Sequence, residues 1–336
     1  MYSDEDLASA VKAGVLSEAS AAAFRQHVDE LRQSSVADEE HFRFLTGFND
    51  VFVVIACILL LVSVNWIGAT VAFWFGAFLQ GASAWGLAEY FARVRRMALP
   101  SIVLLLAFVG GVVFGCVMLA KSVGFSQQVS VGLGCAMGGA AAWLHWLRFN
   151  VPITVAAGMA VLVFAVVALF SSIFPTAKDW RGLMVFLGGV MVFIIGMRWD
   201  ASDTRRQTRR SDVAFWLHLV AAPLLVHPVF LLLGAFDQGM GLSTVLVIIV
   251  LYASIALLSI SIDRRAMMVS ALAYVLYAFN TLLQEYGVVS LSFAFAALTI
   301  GGALLLMSAF WHTCRAYVVG FYPDRVREYL PPLQSS

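Results

Sequence analysis

Of 336 residues, 61% are hydrophobic and only 12% charged, and the formal net charge is +1 with histidine neutral. A soluble domain carries about twice that charged fraction. The near-zero balance supplies no field to gather nucleic acid or an acidic substrate, so no nucleic-acid partner is expected. Cys57, Cys116, Cys135 and Cys314 lack the short paired spacing of a zinc site or a disulfide framework. They read as buried free thiols, and neither a metal nor a cofactor is expected.

Residues 1–46 form the first predicted element, a cytoplasmic helical hairpin. Ser3 and Asp6 make a capping pair, and Leu7, Ala10 and Val11 give a short apolar stripe. Gly14 suits a helix stop in the left-handed conformation. Ser17 then caps a second helix with Ala21, Phe24, Val28 and Leu31 on its apolar side. Such a hairpin is too small to bury a core alone, so it is expected to pack on a protein partner, on a second copy or on the remaining chain. No basic n-region or small-residue cleavage site precedes the first apolar run, which predicts a retained amino terminus.

Residues 47–312 read as an all-α, polytopic transmembrane helix bundle. Ten spans are expected, at about 48–66, 68–90, 101–120, 129–147, 152–174, 182–199, 213–234, 243–262, 266–284 and 288–311. Each approaches the roughly 20 residues that a helical bilayer crossing requires. Strand spans would be half as long and alternate in polarity. Residues 313–336 form a tail along the inner interface, with Tyr317, Phe321, Tyr322 and Tyr329 among Arg325 and Arg327.

The basic residues report on the same map. With the amino terminus inside and the spans alternating, eighteen of the twenty-one Lys and Arg fall inside. Only Lys121, Lys178 and Arg181 fall outside. The positive-inside rule therefore predicts cytoplasmic amino and carboxyl termini. Arg205, Arg206, Arg209 and Arg210 are the densest run; their ordinary role is topological, and they are candidates for anionic lipid headgroups.

Gly81-Ala-Ser-Ala-Trp85 in the second span resembles Gly139-Ala-Ala-Ala-Trp143 in the fourth, while Gly188-Gly189 and Gly301-Gly302 precede Trp199 and Trp311. The pattern suggests five hairpin repeats. Small residues that pack helices and tryptophans that prefer interfaces would also produce it. Gly111 with Gly115, and Gly134 with Gly138, read as packing notches.

No Walker loop, His-Glu-x-x-His or nucleophile elbow occurs, so no catalytic residue is assigned. Polar residues at membrane depth are the candidates for a substrate pathway. In the seventh span Pro223 and Pro228 are expected to bend the helix around His227. His218 lies nine residues earlier, on the opposite face. The ninth span carries Tyr277, Asn280 and Gln284 on one face, beside Tyr274 and Thr281, with Asn280 at the depth of His227. Gln80 and Ser83 make a smaller patch, and Glu89 is placed to pair with Arg93. For each, a helix–helix hydrogen bond is the plainer alternative. No carboxylate pair or clear Asp or Lys is expected in mid-membrane, which counts against a proton or sodium pump.

The stretch Leu7-x-x-Ala10-Val11-x-x-Gly14-Val15-Leu16-Ser17-x-x-x-Ala21 resembles the amino-terminal segment of uncharacterised bacterial predicted membrane proteins, in which a short helical hairpin precedes paired transmembrane helices. The resemblance implies a bacterial inner-membrane location and no assigned activity. Two functions are carried forward: a transporter-like protein for a small or amphipathic solute, and a non-transporting scaffold or regulator acting through the hairpin. An intramembrane enzyme would need a nucleophile or metal cluster that the sequence lacks. The orientation is directly testable: a single cysteine at Gln238 should react with an impermeant maleimide from outside, and one at Gln207 only after the membrane is opened. The reverse pattern would invert the map.

Overall fold

In the computed structural model, residues 4–24, 48–204, 206, 208–233, 242–285, 291–327 and 329–331 are described. The chain divides into two compact units, Met1–Phe42 with Gln334–Ser336, and Arg43–Leu333. In the first, α1 (Asp4–Lys12) leads through Gly14, at φ 74°, into α2, whose described residues are 18–24. The left-handed glycine lets Val15 and Leu16 return their N–H groups to the Ala10 carbonyl at 3.0 and 3.3 Å, the closure a helix stop requires. Ser17 Oγ accepts from the Ser20 N–H at 3.0 Å, an N-cap. Ala21 is buried, whereas Val15 and Phe24 are 77% and 40% exposed.

Among its described residues the second unit has ten long helices: α3 (Phe48–Ala69), α4 (Phe73–Ala88, prolonged by π turns at Glu89–Val94), α5 (Ala98–Ser122), α6 (Gln127–Phe149), α7 (Ile153–Ile173), α8 (Arg181–Ala201), α9 (Arg209–Leu232), α10 (Leu242–Ile262), α11 (Ala266–Glu285) and α12 (Ser292–Ala309). Two short ones follow, α13 (Trp311–Gly320) and α14 (Asp324–Arg327). Seven of these, α3, α5, α7, α8, α9, α10 and α12, are long and apolar enough to cross a membrane. The other three are shorter or more polar: α4 has 16 residues before its π turns, α6 starts on two glutamines, and α11 carries Asn280, Thr281 and Gln284. The tenth expected span is cut short, because the helix breaks at Phe310 and α13 starts a new direction of packing against α10.

Exposed apolar side chains are what a lipid-embedded bundle presents. On α3, Phe52, Ile55, Leu59, Val62 and Trp66 form one helical stripe, each more than half exposed, while Cys57 and Leu61 are buried against Ala84, Ala88 and Leu104. In water such a stripe would be an aggregation surface; in hydrocarbon it costs nothing. At the other extreme α9 buries every residue from Ser211 to His218 except Asp212, because it packs on α7, α8 and α11. It runs unbroken through Pro223 and Pro228.

Close approach depends on missing side chains. A Cβ on Gly111 would lie 2.7 Å from the Ala77 carbonyl oxygen, one on Gly115 would enter the Phe78 ring, and one on Gly134 would meet the Val113 carbonyl at 2.7 Å. These are notches where α5 meets α4 and α6. The repeated-looking motifs differ in setting: Trp85 packs among Phe108, His145 and Phe149, whereas Trp143 is 63% exposed. Gly188 and Gly189 abut α7 and α9, whereas Gly301 and Gly302 face open space. Glu89 does pair with Arg93 at 3.4 Å, but its tighter partner is Arg148 on α6, whose Nε and Nη2 approach its two oxygens at 2.7 and 2.9 Å. The notches yield a matched test in detergent-solubilised protein. Gly111→Ala should lower unfolding stability by about 1–3 kcal/mol through overpacking, and Gly110→Ala, with no atom near its Cβ, should be neutral or stabilising by up to about 1 kcal/mol. Equal effects at the two positions would contradict the packing described.

Candidate functional site: a buried charge cluster where α8 to α11 and α13 meet

The links α8–α9 and α10–α11 lie at the same end of the bundle, as antiparallel connectivity requires. The second has three residues, Asp263, Arg264 and Arg265. A chain that must reverse in so few residues needs a left-handed position, and Asp263 supplies it at φ 59°. Aspartate is among the few side chains that tolerate this region. The Arg264 N–H then donates to the Ser259 carbonyl at 2.9 Å, and Ser259 Oγ donates to the Arg264 carbonyl. The turn is thereby locked, and its three charged side chains leave in different directions.

Arg264 points into the bundle and is 2% exposed. Its guanidinium forks onto Asp200 at the end of α8, Nη2 to Oδ1 and Nε to Oδ2 at 3.3 Å. Nη2 also donates to Ser211 in the first turn of α9, to the hydroxyl at 3.1 Å and the carbonyl at 3.2 Å. Asp200 is 3% exposed and accepts a further bond from His218 Nε2 at 2.9 Å. A carboxylate can only accept, so His218 carries a proton on Nε2. Nδ1 has no hydrogen-bond partner among the described residues. Phe193 lies edge-on to the ring, and a Cβ on Gly196 would come within 3.1 Å of it. The missing side chain at Gly196 is what admits the imidazole.

Asp263 anchors the second half. Arg206, itself left-handed at φ 53°, reaches across from the α8–α9 link, placing Nη1 3.2 Å from Asp263 Oδ2 and donating from Nη2 to the Asp263 carbonyl at 2.9 Å. The Trp311 indole N–H donates to Oδ1 at 2.8 Å, and Arg315 Nε lies 3.7 Å from the same oxygen. Arg315 also donates to the Pro331 carbonyl, and Tyr322 bonds Ser261 at 2.8 Å, which ties the tail to the cluster. Burial draws the Arg206 guanidinium below its usual range, and so does the neighbouring Arg264; the Asp263 and Asp200 carboxylates pull it back up. The link itself is pinned by Asp203, which accepts from the Thr208 N–H at 2.8 Å and its hydroxyl at 2.6 Å.

No family model, curated protein or solved structure matches this chain. The reading therefore rests on the cluster itself. Two carboxylates and three guanidiniums are drawn out of water across five helices, which is costly unless each is paired. The cluster shares the Asp200 carboxylate between an imidazole and a guanidinium. It carries no nucleophile poised beside a base.

The other sequence candidates are dispersed. His218 is fully buried and His227 exposed, so the two histidines do lie on different faces. Asn280 is half-buried and accepts from Ser292 Oγ at 2.8 Å. Tyr277 and Gln284 are exposed on α11. Gln80 donates to the Ala107 carbonyl at 3.4 Å, a link between α4 and α5. Arg209 and Arg210 are exposed, as headgroup contacts would be, and Arg205 lies outside the described residues. Arg206 is a correction: it is turned inward to Asp263 rather than offered to lipid, because the left-handed link aims it at the buried carboxylate. Asp200, which the sequence reading did not single out, is buried within the last turn of α8, at the end of the helix rather than in mid-membrane. The buried turn has a sequence signal. A three-residue link between two spans cannot lift Asp263 and Arg264 clear of the helix ends, so these charges had to be paired inside.

Proposed function

We propose that the chain is a ten-span protein of the bacterial inner membrane, with both termini cytoplasmic, that moves a small or amphipathic solute with a proton as the coupling ion. The observation that carries the reading is the Asp200–His218–Arg264 cluster. His218 lies nine residues into α9, about 14 Å along its axis, and bonds to a carboxylate that a guanidinium also holds. Ionisable groups at membrane depth are costly and are characteristically the parts of proton relays. Protonation of His218 Nδ1 adds a positive charge beside Arg264 and weakens the latter's claim on Asp200, a change of charge that can bias the packing of α8 against α10 and α11. His227, Tyr277, Asn280 and Gln284 remain the candidates to contact the solute, and Pro223 and Pro228 the positions at which a bend of α9 would open its path.

A second reading is supported by the separate amino-terminal unit with its exposed Val15 and Phe24: a scaffold or regulator that docks a partner or a second copy through residues 1–46. Full-length protein in vesicles holding a pH-sensitive dye separates the two. Under the transport reading, one class among sugars, amino acids and amphipathic amines moves protons with it, His218→Gln abolishes the proton signal, and Asn280→Ala weakens half-saturation while coupling persists. Deleting residues 1–42 leaves that signal intact. No proton signal with any class, together with loss of cellular function on that deletion alone, would favour the scaffold.

A further inference from the structure

Arg265 leaves the α10–α11 turn for partners on α12 and α13, where Arg264 has its own on α8 and α9. Its guanidinium lies 4.8 Å over the Trp311 ring, and Nη1 donates to Ser308 Oγ at 3.4 Å. Below it runs a crevice of about 120 Å³ between α10, α11 and α12, walled by Tyr252, Met268, Leu272, Leu304 and Met307. Tyr252 lies ten residues before the end of α10, about 15 Å from the turn along the helix axis, so the crevice runs from the charged end into the apolar interior of the bundle. The Tyr252 hydroxyl, shielded from solvent, has no hydrogen-bond partner. The flank is open sideways: Val269 is 64% exposed, and on α12 Leu305 and Leu306 are 73% and 63% exposed.

A cation held by an aromatic face at the mouth and an apolar slot behind it match one class of molecule, an anionic amphiphile. We infer that the crevice binds an anionic phospholipid of the surrounding leaflet, its phosphate on Arg265 and one acyl chain between Met268, Leu304 and Met307. Charge complementarity at the mouth and the lateral opening to lipid-facing side chains select that occupant over a soluble ligand. The site is distinct from the proton cluster and does not depend on it, yet it shares Trp311, whose ring face meets Arg265 while its N–H holds Asp263. Occupancy would therefore be felt at the buried charges.

The test uses the full chain in phosphatidylcholine vesicles containing a minor share of phosphatidylglycerol with a photoreactive acyl chain, with crosslinks mapped to peptides. Phosphatidylglycerol should mark α11 and α12 around Met268 and Met307 with a roughly fivefold preference over photoreactive phosphatidylcholine, the scale of one arginine–anion contact at a membrane surface. Arg265→Gln should remove the preference and Arg265→Lys keep most of it. Leu304→Trp, which fills the slot, should remove the crosslink. Glycerol phosphate, a headgroup without a chain, should not compete. Equal marking by both lipids, persistence of the preference in Arg265→Gln, or competition by glycerol phosphate would overturn the assignment.

Discussion

Asp200 sits at the last turn of an apolar helix with almost no access to solvent, and everything at this end of the molecule is arranged around keeping its charge compensated. A carboxylate removed from water loses several kcal/mol of hydration unless donors replace it. Here the replacements come from far along the chain: the imidazole from within α9, the guanidinium from the α10–α11 turn. Neither can reach Asp200 unless α8, α9 and that turn are in register. The charge thus specifies a packing arrangement that featureless apolar surfaces would leave loosely defined in a lipid environment, where hydrophobic burial does little to choose among contacts.

Backbone geometry serves the same end. Arg206 and Asp263 both adopt the left-handed conformation, which costs a non-glycine residue of order 1 kcal/mol or more, and they grip each other through side chain and carbonyl. Trp311 and Arg315 extend the grip to the helix after the last long apolar segment, and the tail closes over it. The result is a continuous polar seam from α8 to the carboxyl-terminal tail, in contrast to α3 through α7, where glycine notches and apolar contacts are joined by the Glu89–Arg148 ion pair and scattered hydrogen bonds. A proton arriving at His218 or a lipid headgroup at Arg265 would each act on one margin of that seam.

The long apolar runs were legible because bilayer thickness dictates their length: each expected span overlaps a long helix, and seven of these helices are long and apolar enough to cross a membrane. Gly14 and Ser17 announced their turn and cap through residue chemistry alone, and Gly111 and Gly134 announced notches. The charge cluster was not legible by the same logic. Counting arginines by side treats each as solvated, yet Arg264 and Arg315 are buried and Arg206 is largely shielded. Partners separated by 64 residues, as Asp200 and Arg264 are, leave no local spacing signal. His227 drew attention through its prolines, whereas no local feature marked His218, which meets the Asp200 carboxylate.

The claim that Asp200 and Arg264 act as one unit is tested most directly by a double-mutant cycle on unfolding of the full chain in micelles. Asp200→Asn leaves Arg264 buried without its counter-charge, and Arg264→Met does the same to Asp200. Each alone should cost about 3–5 kcal/mol, and the pair together far less than the sum, with a coupling of at least about 2 kcal/mol. Losses that simply add, to within about 0.5 kcal/mol, would mean that the two charges do not depend on each other.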